Sequence, residues 1–100
     1  MNTLKAEKRD MSIKAKKLRR EGFVTGNLFG RELEDSIPLK FDKAEIEKLL
    51  KVESKGGQVM LEVAGETYDA LIKEVDYNPL KGYVDEIDFQ ALVSNEKVHS

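Results

Sequence analysis

The chain has 100 residues, 40% of them hydrophobic and 36% charged, with a net charge of −2 and no cysteine. This length fits a single domain, and the apolar fraction is too high for a disordered chain. The missing thiols exclude disulfides and thiolate metal sites, the apolar runs fall far short of a membrane span, and the first residues lack a signal-peptide stretch, so a reduced, cytoplasmic compartment is expected.

Residues 3–8 alternate weakly through Leu4 and Ala6 and read as a first strand. Ser12 is the expected N-cap of a short helix ending at Arg20, with Met11, Ala15 and Leu18 on one face and Gly22 as its stop. Lys14, Lys16, Lys17 and Arg20 take the other faces. Residues 1–20 hold eight basic and two acidic side chains, while the other 80 hold nine basic and 17 acidic ones. A basic head on an acidic body is the asymmetry expected where one face meets a polyanion, although a solvated charged helix has the same composition. A helix of about ten residues needs docking or a ligand to hold it.

Phe23 to Gly30 reads as a strand bent at its glycines, and 31–35 as a polar connection. Ile37, Leu39 and Phe41 alternate inward along a third strand. Pro38 cannot donate to a ladder, which predicts an edge strand or a solvent-facing position. Asp42 followed by Glu45 starts a second helix over roughly 43–53, with Ile46, Leu49 and Leu50 as its apolar face and Ser54–Gly57 as its stop. Val59, Leu61 and Val63 mark a half-buried strand, Gly65-Glu66 a tight turn, and Thr67 to Tyr77 the returning strand. Residues 78–82 form a loop. Tyr83, Asp85, Ile87, Phe89 and Ala91 alternate along a last strand, and 94–100 form a polar tail. About six strands and two helices in one domain over residues 1–93 predict a mostly β fold with some helix, a six-stranded antiparallel barrel or strongly curled sheet.

Catalytic chemistry finds no footing. The one histidine, His99, lies in the tail, and no nucleophile elbow, Walker loop or His-Glu-x-x-His helix occurs. No cofactor, metal or small-molecule substrate is expected. Binding is the reading left. Core packing is the default for each aromatic, with Phe29 and Tyr77, next to loops, the better candidates for ligand contact.

The segments, taken in order, carry a resemblance. Ala6-Glu7-Lys8-Arg9, Lys16-Lys17-Leu18-Arg19-Arg20-Glu21-Gly22, Leu28-Phe29-Gly30, Lys73-Glu74-Val75, Asn78-Pro79-Leu80-Lys81-Gly82 and Ile87-Asp88-Phe89 are the relevant runs. Each is weak alone, but in this order over residues 4–93 they resemble the bacterial large-subunit 5S rRNA-binding ribosomal protein family, which has general stress protein relatives. The resemblance implies a six-stranded barrel with two helices, docked on an irregularly paired stretch of 5S rRNA in the large ribosomal subunit. It implies contacts from Lys14, Lys16, Lys17, Arg19, Arg20, Phe29, Asn78, Lys81 and Asp88, and it aligns Glu86 with a family histidine. The resemblance also implies the short, single-domain form of the family.

The departures bear on function. The family's glycine-containing approach to the basic helix is Met11–Ala15 here, which removes close backbone approach to a ligand. Its tyrosine is Phe29 and its first histidine Asn78. At Glu86 a possible donor becomes an acceptor that repels phosphate, while Asp85 is expected on the opposite face of the strand. A diverged paralogue that kept the barrel, lost the RNA and became a protein-interaction or stress-related module is the alternative.

Overall fold

The computed structural model describes residues 2–30, 36–80 and 82–92. The predicted connection 31–35, Lys81 and the tail with His99 lie outside the described residues. In chain order the elements are β1 (Asn2–Lys8), α1 (Ala15–Arg20), β2 (Phe23–Phe29), β3 (Ile37–Asp42), α2 (Lys43–Val52), β4 (Gln58–Val63), β5 (Glu66–Asn78) and β6 (Tyr83–Ala91). The strands close into a barrel in the order β1-β3-β2-β6-β5-β4.

Strand alternation fills the barrel. Leu4, Leu28, Leu39, Phe41, Leu61, Ile72, Ile87 and Phe89 are all fully or nearly fully buried in one cluster. The Phe41 and Phe89 rings meet at 5.3 Å in a tilted pair. Ile46 and Leu49 of α2 join the same cluster, so the predicted helix face is the buried one. Asp42 caps α2 by accepting from the Ala44 N–H at 2.9 Å.

The six-stranded barrel with two helices matches the expectation, but its pairing is not antiparallel throughout. β1 runs parallel to β4 and β2 parallel to β6. Within β1-β3-β2 and within β4-β5-β6 every pairing is antiparallel. Alternation reports which face a side chain takes and says nothing of strand direction. Parallel neighbours are joined through long connections rather than hairpins, and both seams join strands distant in sequence.

Four local expectations are corrected. Ser12 does not cap α1: its N–H and hydroxyl both donate to the Asp10 carboxylate, at 2.9 and 2.7 Å. Those bonds hold the Asp10 carboxyl below its usual range. The helix starts at Ala15 with Lys14 at the cap position, which leaves Met11 outside it and exposed. Second, β2 is continuous through Gly26. A Cβ there would lie 1.7 Å from the Ile87 carbonyl oxygen, so the glycine serves close approach of β6 rather than a bend. Third, of the two placements expected for Pro38 the edge strand fails, because the barrel is closed, and the other holds, because Pro38 is half-buried and lies past the last paired residue of β1. Its carbonyl accepts from the Arg9 N–H at 2.9 Å, past the end of β1, so its missing donor falls at the barrel rim. Fourth, the β4–β5 turn is Ala64-Gly65, with φ of 49° and 82°, the two positive values a tight hairpin turn needs.

Two bulges break the phase of the last hairpin. Ile72 pairs with Phe89 and Glu74 with Asp88, leaving Lys73 as the extra residue in β5. Asp76 pairs with Glu86 and Tyr77 with Val84, leaving Asp85 as the extra residue in β6. Val84 is therefore buried, and the simple alternation through Tyr83 and Asp85 fails.

Candidate nucleic-acid interface

Helix α1 is a short cationic platform held by one apolar anchor. Leu18 is buried at 2% exposure, while Lys14, Lys16, Lys17 and Arg20 are exposed. No acidic side chain lies in the first turn, and the last turn carries Lys17, Arg19 and Arg20, the arrangement a helix dipole favours at its C-terminal end.

Arg19 is the residue that ties the helix to the barrel wall. Its Nε donates to the Asp85 carbonyl at 3.3 Å, and its Nη2 lies 3.8 Å from Glu86 Oε2. Both side chains of that ion pair are roughly a third exposed, so it adds at most about 1 kcal/mol to stability. Its larger effect is on the local field, since a carboxylate sits beside one of the five cations. Glu86 thus lies next to the basic helix. Asp85 does not simply face away, because its bulge presents the backbone carbonyl to Arg19 while Oδ2 accepts from Asn78 Nδ2 at 3.0 Å.

Below Arg19 the outer wall of β2 and β6 carries the other predicted residues. Thr25 pairs with Glu86 and Phe29 with Gln90 along the parallel seam. Between them, Asp88 Oδ1 accepts from the Asn27 backbone N–H at 3.1 Å and from its Nδ2 at 3.5 Å. Asp88 therefore has a structural role, satisfying a strand donor opposite the close approach at Gly26. Phe29 is half-buried, and Lys73 Nζ sits 4.2 Å from its ring centroid. Asn78 stands at the rim, where its Oδ1 accepts from the Leu80 N–H at 3.0 Å and shapes the loop. Arg19, Glu86, Asp88 and Phe29 share one wall, and Asn78 joins it through Asp85. Lys81 lies outside the described residues.

Sequence reasoning missed Asn27, Lys43, Lys73, Asp85 and Tyr83. Lys16, Arg19, Arg20 and Tyr83 line one shallow depression, and Lys43 Nζ lies 3.8 Å from the centroid of the Tyr83 ring. Lys73 and Asp85 reach their positions by being bulge residues, which a period-two pattern cannot mark. Lys43 looks in sequence like any residue of a helix start. Among the described residues no group of His, Cys, Asp or Glu is placed to hold a metal ion, and no helix is long and apolar enough to cross a membrane.

The model of the ribosomal L25p family matches residues 4–89. The large ribosomal subunit protein bL25 of Caldanaerobacter subterraneus is 31% identical over 99 residues, covering 98% of this chain and 50% of that protein. The bL25 protein of Caldicellulosiruptor saccharolyticus is 35% identical over 83 residues, covering 83% of this chain and 40% of that protein. The general stress protein Ctc of Bacillus subtilis is 29% identical over 100 residues, covering 98% of this chain and 48% of that protein. The chain thus spans about half the length of the curated relatives it matches. Two of these relatives are named as ribosomal proteins and one as a stress protein; none is named as an enzyme.

Proposed function

The chain belongs to the ribosomal L25p family, and from that premise we propose that it acts in the cytoplasm as a protein of the large ribosomal subunit, binding 5S rRNA through α1 and the outer wall of β2 and β6. The observation that carries this reading is the junction at Arg19, where the cationic helix is fixed against the strand wall by the Asp85 carbonyl and Glu86. RNA helices are recognised largely through phosphates and 2′-hydroxyls across a wide minor groove. Lys14, Lys16, Lys17, Arg19 and Arg20 supply charge for the phosphates, with the arginines able to fork onto two oxygens. Asp88 and Glu86 can only accept, so hydroxyl donors are their natural RNA partners and phosphates are not. Phe29, Asn78 and Lys81 complete the proposed footprint.

The test is a competition titration, in which a 5S rRNA fragment and a regular RNA duplex of equal length compete for the protein. Preference for the 5S fragment is expected, because the strand wall adds shape recognition to charge. Equal affinity for both would reduce the site to a non-specific cationic patch.

One observation favours a second reading. Glu86 stands beside Arg19 and offsets part of the charge that the RNA would meet. A paralogue that kept the barrel and traded RNA for a protein or stress-related role would look the same there. Such a protein would show no 5S preference, and its partners would be recovered after ribonuclease treatment.

A further inference from the structure

A second surface adjoins the cationic depression and is chemically different from it. Leu50 and Lys51 of α2 form one wall of an open groove, and Val75, Tyr77 and Tyr83 of the last hairpin form the other. Its volume is about 570 Å³, within the roughly 300–1,000 Å³ of sites that hold small organic ligands. Strand parity puts Tyr77 on the same side as the half-buried Val75, and its partner across the ladder is the buried Val84. Tyr77 is nevertheless 56% exposed where it lines the groove. Tyr83 lines both the groove and the depression with Lys16, Arg19 and Arg20, so the two surfaces share one side chain.

The rim gives the occupant its charge. Lys51 lines the groove, Lys43 sits over the Tyr83 ring, and Lys16, Arg19 and Arg20 line the adjoining depression with Tyr83; Glu47 is the carboxylate among the lining residues. An aromatic floor bordered by cations suits a planar apolar group carrying a negative charge. Base stacking on aromatic side chains beside a positive track is how single-stranded nucleic acid is held. We propose that the groove takes one unstacked nucleotide of the RNA bound by α1, its base against Tyr77 and its phosphate toward Lys51 and Lys43. This rests on the RNA reading above and extends its footprint around the rim onto the α2 side of the barrel.

The experiment is equilibrium binding of the full chain to whole 5S rRNA over a salt series, with wild type, Tyr77→Ala and Tyr77→Phe, followed by ultraviolet cross-linking and peptide mapping. Loss of one stacked base is expected to weaken Tyr77→Ala by about 5- to 150-fold. The salt slope should stay unchanged, because stacking releases no counterions. Tyr77→Phe should bind as wild type, since the ring and not the hydroxyl carries the contact, and the cross-linked peptide should contain Tyr77. Wild-type affinity for Tyr77→Ala, with cross-links confined to α1 and β6, would overturn the groove and leave the RNA reading standing. If Tyr77→Ala bound RNA normally yet failed to enter large-subunit particles, the groove would belong to a neighbouring protein and the inference would fall. Absence of any 5S binding by wild type would remove the RNA reading itself.

Discussion

At position 86 β6 carries a carboxylate 3.8 Å from the Arg19 guanidinium, on the wall proposed to meet RNA. Replacing it should therefore act on binding far more than on folding. Glu86→His is expected to raise affinity for 5S rRNA about fivefold, the equivalent of roughly 1 kcal/mol of relieved like-charge contact. Its unfolding midpoint should stay close to wild type, because a partly exposed ion pair contributes little. An unchanged affinity in a titration at fixed salt would put position 86 outside the RNA contact. Gly26 poses the opposite case. Its missing Cβ is space already filled by the Ile87 carbonyl, a backbone atom that cannot rotate away. Gly26→Ala should cost at least about 2–3 kcal/mol, read as a lower urea midpoint, since β2 and β6 must separate to admit a methyl group. The sequence marks Gly26 as a special position but not the reason, because a bend and a close approach call for the same residue.

Helix α1 has only six residues and no side-chain N-cap, too little to persist by itself. Its place depends on Leu18 beneath and Arg19 at the side. Leu18→Ala should cost about 2–4 kcal/mol and also weaken RNA binding, since a detached helix loses the fixed spacing of its cations. Hydrogen exchange would show the α1 amides losing protection before the barrel does; equal loss in both would mean that the helix is not the separately docked unit described here. Asp42→Ala provides the contrast. Removing that cap should cost about 1 kcal/mol while leaving protection of the α1 amides unchanged, because α1 is held by Leu18 and Arg19 and not by the start of α2. At this scale much of the fold is legible. Ile46 and Leu49 on α2 and Val59, Leu61 and Val63 on β4 face inward as their spacing requires. Legibility ends at β5 and β6, where the extra residues Lys73 and Asp85 depend on how two strands count against each other. That is why Lys73 over Phe29, and Asp85 between Arg19 and Asn78, had no sequence signal.

Across the whole molecule, closure of the barrel fixes where the charge asymmetry falls. The parallel seam between β2 and β6 brings residues about sixty positions apart side by side, so Arg19 of the basic head meets Asp85 and Glu86 of the acidic body. Sequence reading found both halves of that contrast but could not see that they touch, because a parallel seam leaves no mark in alternation. The cations of α1 thus work beside fixed carboxylates, and the wall offers acceptors where a wholly basic surface would offer only charge. This arrangement predicts tight but strongly salt-dependent binding. Four or five phosphate contacts from Lys14, Lys16, Lys17, Arg19 and Arg20 should give a slope of log affinity against log salt of about −3 to −4.5. The direct measurement is a salt-series titration of the intact chain with 5S rRNA. Binding at low salt with a slope in that range is expected; no binding at low salt, or a slope near zero, would overturn the RNA reading.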